Sequence, residues 1–146
     1  MRLSVFTDYS LRVLIQAAIR HPNKVTIDEV ANAYGISRNH LIKVINELGR
    51  AGFLVTQRGR SGGFTLARPA DRIFVSEVVK FGEDGQPLVE CFDADRNKCV
   101  ITPACKLKGM IAEAKRAFFD VLGKYTIADV CAKPEALLRH LGLAAP

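Results

Sequence analysis

Between Thr26 and Leu48 the segment TIDEVANAYGISRNHLIKVINEL carries two helical patterns divided by one glycine, and few folds accept that arrangement. Thr26 with Glu29 three residues later has the spacing of a capping box, in which each side chain satisfies an amide left open at a helix start. Gly35 supplies the tight turn. Ser37 then caps a helix reaching about Leu48, with Leu41, Val44, Ile45 and Leu48 as its buried stripe. Arg38, Asn39, His40 and Lys43 are left at the start and on the outer side of that helix. A short helix, a glycine turn and a second helix with polar residues at its start make a helix-turn-helix, whose second helix reads the DNA major groove.

The flanking segments extend this unit. Leu11, Leu14, Ile15, Ala18 and Ile19 repeat at helical spacing and predict a preceding helix, with Thr7 as N-cap and Asp8 in the first turn. His21-Pro22-Asn23 ends it. On the other side, Phe53-Leu54-Val55-Thr56 and Phe64-Thr65-Leu66 read as two strands joined by Arg58-Gly59-Arg60-Ser61-Gly62-Gly63. That basic, glycine-rich tip is the wing of a winged helix. It is not a phosphate-cradling loop, because the G-x-x-x-x-G-K-[ST] pattern is missing.

Charge distribution supports the same partner. Between Ser37 and Arg72, seven basic side chains (Arg38, Lys43, Arg50, Arg58, Arg60, Arg68, Arg72) meet only Glu47 and Asp71, so most of the chain's net +6 lies in one quarter of its length. Such a block is the footprint of a protein that binds the phosphate backbone. With 49% hydrophobic residues the chain has enough apolar side chains for a core. The opening MRLSVFTDYS lacks the apolar stretch and cleavage site of a secretory signal, so the expected location is the cytoplasm, where thiols stay reduced.

After the wing, Val75 to Phe81 reads as a connecting helix and Gly82 to Thr102 as irregular. A long helix follows, from about Pro103 or Ala104 to Leu122. Its residues Leu107, Ile111, Ala114, Phe118 and Val121 step by four and three, a heptad-type seam. The seam either packs on the chain's own core or forms a homodimer, and reading a palindrome with a helix-turn-helix favours the dimer. Tyr125 to Val130 and Pro134 to Leu141 suggest two more short helices. The expected fold is mainly α with a small β-hairpin wing: a winged helix-turn-helix plus a long dimerisation helix.

The chemistry lies in Cys91, Cys99 and Cys105, spaced C-x7-C-x5-C. Structural zinc sites pair cysteines more closely, as C-x2-4-C. Wider spacing suits a loop wrapped around a larger object, such as an iron–sulfur cluster. Cys105 is expected in the first turn of the long helix, where open amides favour thiolate. Three ordinary buried thiols are the alternative. A fourth ligand is not evident from spacing: Cys131 sits in an apolar run and reads as core, and His21, His40 and His140 have no matching pattern. No Ser/His/Asp order, H-E-x-x-H or nucleotide loop is present, so an enzyme is not expected.

The motifs FTDYSLRVL, YGISRNHLIKVINELGRAG, RGRSGGFTL, CVITPACKL and YTIADV resemble the NsrR family of nitric-oxide-sensing repressors, over Met1 to about Val130. That family belongs to a superfamily of dimeric winged-helix regulators that includes IscR and RirA. The resemblance implies a 4Fe–4S cluster, one per subunit, on Cys91, Cys99 and Cys105. It also implies a fourth ligand from the other subunit, an aspartate at the place of Asp8. IscR-like members use a histidine three residues after the last cysteine; here that residue is Lys108. On this basis residues 1–80 are expected to form the DNA-binding region, 81–105 the cluster-binding loop, and 106–146 the dimerisation helix with the C-terminal helices.

The expected function is repression of operator DNA, relieved when nitric oxide nitrosylates the cluster. Arg38, Asn39 and His40 would reach base edges in double-stranded DNA, with Lys43 on phosphate or a neighbouring base and Arg58, Arg60 and Ser61 contributing from the wing. An iron- or redox-responsive regulator of the same superfamily shares every ligand candidate. A cofactor-free winged-helix repressor is the further alternative.

Overall fold

Helix α1 (Val5–Ile19) is the post around which the other elements gather, touching the recognition helix, the wing, the connecting helix and the C-terminal helices. The computed structural model of the chain describes residues 2–59 and 62–144. The N-cap of α1 is Ser4, not the expected Thr7: Ser4 Oγ accepts the Thr7 amide at 3.1 Å. Both residues are of capping type. The earlier start prevails because it lets Phe6 pack on Phe81, ring centroids 5.8 Å apart, and brings Ser4 to the end of the connecting helix.

The buried face of α1 also differs from the expected stripe. Val13, Leu14, Ala17 and Ile19 are buried together with Thr7, Ser10 and Gln16, whereas Leu11, Ile15 and Ala18 are only partly covered. A helix with neighbours on several sides buries more than one apolar face, so a single-face period misplaces its core side.

The helix-turn-helix forms as its local signals dictate. In α2 (Ile27–Tyr34) the Thr26 amide donates to Glu29 Oε2 at 2.6 Å, and Glu29 N to Thr26 Oγ1 at 3.2 Å. Gly35 takes φ 64°, a left-handed conformation that an L side chain rarely adopts. Ser37 caps α3 (Arg38–Arg50), which runs two residues past the expected end. Leu41, Val44, Ile45 and Leu48 are all buried. Each such side chain contributes about 1.5–3 kcal/mol by leaving water.

Strands β1 (Leu54–Gln57) and β2 (Gly63–Leu66) pair antiparallel, Leu54 opposite Leu66 and Gln57 opposite Gly63. Phe64 stands opposite Thr56 and turns its own backbone to Val25, with N···O distances of 3.0 and 2.8 Å. This bridge pins the wing to the segment that enters α2.

Beyond the wing come α4 (Val75–Gly82), the cysteine loop, α5 (Lys106–Leu122), α6 (Ile127–Val130) and α7 (Pro134–His140). Backbone bonds from Ile127 N to Ile73 O and Val75 N to Tyr125 O, both 2.9 Å, fasten the entry to α6 beside the start of α4. None of the residues of α5 is buried, and Leu107 and Val121 of its seam are 58% and 50% exposed. The seam therefore does not lie on the chain's own core. Among the described residues no helix is long and apolar enough to cross a membrane.

Candidate DNA-reading face and thiol loop

The start of α3 presents Arg38, Asn39, His40 and Lys43, all exposed. Ser37 holds this end, accepting the His40 amide at 3.4 Å. Arg38 is paired with Asp28 of α2, both side chains more than half exposed, so it is tethered within the helix-turn-helix before it meets any partner. The His40 ring lies 6.3 Å from that of Tyr9, which sets the recognition helix against the first turns of α1. Arg58 is exposed at the end of β1; Arg60 and Ser61 lie outside the described residues.

Two members of the basic block are engaged elsewhere. Arg50 pairs with Glu47 at 2.7 Å. Arg68 pairs with Glu77 at 2.8 Å and its guanidinium lies 5.4 Å over the Phe53 ring. Counting charges along the chain thus overstates the cationic face. Lys24, absent from the candidates, bonds to Gln57 at the wing root and adds a cation there. Its place follows from the Val25–Phe64 bridge, a contact with no local signal.

The loop thiols are all free. Cys91 is half-buried in a 3-10 turn, Glu90–Phe92. Cys99 is exposed and held at both ends: its amide donates to Asn97 Oδ1 at 3.0 Å and its carbonyl accepts from Thr102 Oγ1 at 2.8 Å. Cys105 is half-buried at the N-cap of α5, not in its first turn as expected, because Thr102–Ala104 forms a separate 3-10 turn. Among the described residues no three histidine, cysteine, aspartate or glutamate side chains converge closely enough to hold a metal ion. The loop carries the thiols without gathering them. Chemically the set fits a soft iron site, since three unpaired sulfurs on one loop are the donors that such a group requires.

Cys131 stands apart. It packs against the core with Sγ 3.8 Å from Ile15 O, and burial pushes its pKa up to about 11. Its expected core role agrees with this placement. Asp8, on the first turn of α1, is gripped by Arg12 one turn later, at 2.8 and 3.2 Å. The same guanidinium lies 5.6 Å over the Tyr34 ring. The i,i+4 spacing of Asp8 and Arg12 is legible in the sequence, although the pair is not among the candidates. An open cavity of about 820 Å³ separates the loop from α5, with Leu88, Phe92, Phe118 and Phe119 on its walls.

A winged helix-turn-helix with a cationic reading end, followed by a loop and a projecting helix, is the framework of a DNA-binding transcriptional regulator. The family described as "Rrf2: Iron-dependent Transcriptional regulator" matches residues 3–133, and the chain belongs to it. It is 46% identical to the HTH-type transcriptional regulator NsrR of Bacillus subtilis over 142 residues, 97% of either chain. It is also 46% identical to that of Bacillus licheniformis over 131 residues, 89% of this chain and 92% of the relative. Among solved structures, T. potens IscR superposes with a TM-score of 0.71 at 23% identity, over 90% of this chain and 87% of that one. CymR, the global cysteine regulator of B. subtilis, gives 0.67 at 20% identity, over 90% and 97%. These two likenesses concern the fold.

Proposed function

We propose that the protein is a homodimeric transcriptional repressor that holds a 4Fe–4S cluster in each subunit and releases operator DNA in response to nitric oxide. The observation that carries this reading is the separation of the cysteines into two groups. Cys91, Cys99 and Cys105 are kept free on one loop outside the core, while Cys131 is packed away in a chain 46% identical to NsrR proteins. Cys91, Cys99 and Cys105 would hold the cluster, with Asp8 contributed across the dimer. When bound, the cluster supplies iron that nitric oxide can attack, and the oxygen ligand marks its most labile corner because carboxylate is harder than thiolate.

The chain's own residues then do the rest. The exposed α5 seam and the open cavity beside it are the surfaces that a second copy would cover. A dimer sets two α3 helices at a fixed separation, as a palindrome requires. Asp8 stands on the same helix as Tyr9, which meets His40 of the recognition helix. Engagement or release of Asp8 therefore biases how α3 is held, which is the differential contact a switch needs.

The test is a visible spectrum with iron and sulfide assay on protein purified without oxygen, followed by nitric oxide titration with an operator-binding readout. A band near roughly 400 nm that bleaches as DNA is released is the expected result for a cluster of this type. Colourless protein that binds DNA regardless of nitric oxide would overturn the reading. A second reading, release of DNA when iron is scarce, is favoured by the description of the family as iron-dependent. Chelation without nitric oxide separates the two.

A further inference from the structure

Helix α1 lacks the acid that would close its own N-terminal cap. With Ser4 as N-cap the third helical position is Thr7, whereas the boxes at α2 and α6 have Glu29 and Asp129 there. The missing carboxylate comes from Glu83, at the end of α4. Its Oε1 accepts the Ser4 amide at 2.8 Å and also the hydroxyl of Thr7. Thr7's hydrogen being committed, the Ser4 hydroxyl donates to Thr7 Oγ1 at 2.9 Å or to Gly82 O at 3.3 Å. The arrangement is a capping box completed in trans.

Its surroundings are made for it. Thr7 is fully buried. A Cβ on Gly82 would overlap the Thr7 hydroxyl and lie 2.9 Å from Thr7 Cβ, so glycine is what lets the two helix ends meet. An acid at a helix C-terminus opposes the dipole of its own helix; Glu83 is offset by the positive end of α1. Desolvation raises its pKa, but the bonds from Thr7 and Ser4 outweigh that and leave it lowered.

Glu83 is also the first residue of the thiol loop, and Thr7 directly precedes Asp8. We propose that Glu83 is a positioning residue that clasps the turn carrying Asp8 to the root of the cysteine loop of the same chain. This rests on the reading that Asp8 serves the loop thiols of the other subunit. Asp8 is then offered across the dimer while Glu83 anchors the loop of its own chain, so the clasp links the two iron sites. The sites are expected to lose iron together.

The test uses Glu83→Gln and, as a milder variant that keeps the carboxylate, Thr7→Val, in the full-length protein. In the metal-free state, amide exchange at Thr7 and Asp8 should rise about tenfold, because that turn opens locally when its cap is weakened. During chelation followed by native mass spectrometry, dimers loaded on one side only should accumulate at least about threefold above the parent, as expected when a coupling between two sites is lost. Unchanged exchange in both variants, or faster exchange without more half-loaded dimers, would overturn the proposal. A parent protein that never binds iron removes the Asp8 reading and the proposed link with it; exchange in the metal-free state then reports only whether the clasp itself exists.

Discussion

Asp8 and Arg12 meet through two contacts, Nη2 to Oδ2 at 2.8 Å and Nε to Oδ1 at 3.2 Å, so the carboxylate proposed to meet iron is already held by a guanidinium fork. To serve a metal, Asp8 has to leave Arg12. Both side chains are substantially exposed, 47% and 39%, which limits the pair to about 0.3–1 kcal/mol. Arg12→Gln should therefore leave thermal stability within about 1 kcal/mol of the parent. It should raise the chelator concentration needed to remove half the iron by at least about twofold, the linkage expected when a competing partner is removed. Asp8→Ala should lower it. Iron retention by Asp8→Ala equal to that of the parent would remove Asp8 from the ligand set.

On the DNA side, Asn39 and Arg58 should fail differently. Asn39 lies at the start of α3, where side chains reach base edges, and Asn39→Ala should cost about 1–3 kcal/mol on operator and far less on unrelated DNA. Arg58 is exposed at the edge of the wing. Arg58→Ala should weaken binding to both DNAs alike and flatten the slope of log K against log salt by about one. Fluorescence anisotropy at several salt concentrations checks both. An Arg58 variant with the parent's slope would take that residue out of the phosphate contacts.

Helix α5 offers a separate test because its seam residues do not hold the protomer together. Leu107 and Val121 are each at least half exposed, so a charge at either position should leave the fold intact. Placed in a dimer interface, the same charge has to be desolvated without a partner. Leu107→Glu and Val121→Glu together should give a folded monomer by sedimentation velocity. Operator affinity should fall at least about tenfold, as it does when binding is coupled to assembly. A dimer that survives both changes would point to another interface.

The helix-turn-helix was legible because its signals are local. Thr26 and Glu29, Gly35 and Ser37, and the stripe from Leu41 to Leu48 each act within a turn or two of chain, and each is found in its expected role. The start of α1 was not, because the choice between Ser4 and Thr7 is made by Glu83, 79 and 76 residues away in sequence. The pairing of Arg38 with Asp28 and the diversion of Arg68 onto Glu77 and Phe53 are likewise tertiary. For the site, the sequence separated Cys131 from the loop thiols by its apolar neighbours. Their spacing alone did not show that the loop leaves the three thiols apart, since spacing says nothing about where an irregular backbone directs side chains. Cys105 falls one step before the expected first turn for the same reason: Pro103 belongs to a short turn, Thr102–Ala104, rather than to α5.

Cys131 provides the internal control for the three loop thiols. Its sulfur is packed at the back of α1, and burial pushes its pKa from 9.0 to about 11, so little thiolate is available at neutral pH. In metal-free protein at pH 8, iodoacetamide should modify Cys91, Cys99 and Cys105 while Cys131 reacts at least about tenfold more slowly, in proportion to its thiolate fraction and access. Peptide mass spectrometry reads the order directly. The raised pKa also fixes a sign. Folding favours the protonated thiol, so this contribution to stability is complete below pH 9 and declines as the pH rises towards 11. Cys131→Ala lacks that term, and its unfolding free energy should fall less steeply than the parent's over the same interval. Cys131→Ala should also keep its iron, whereas Cys99→Ala should lose it. Equal alkylation of all four cysteines would show that Cys131 is not shielded by the core, and loss of iron on changing Cys131 would place it among the ligands.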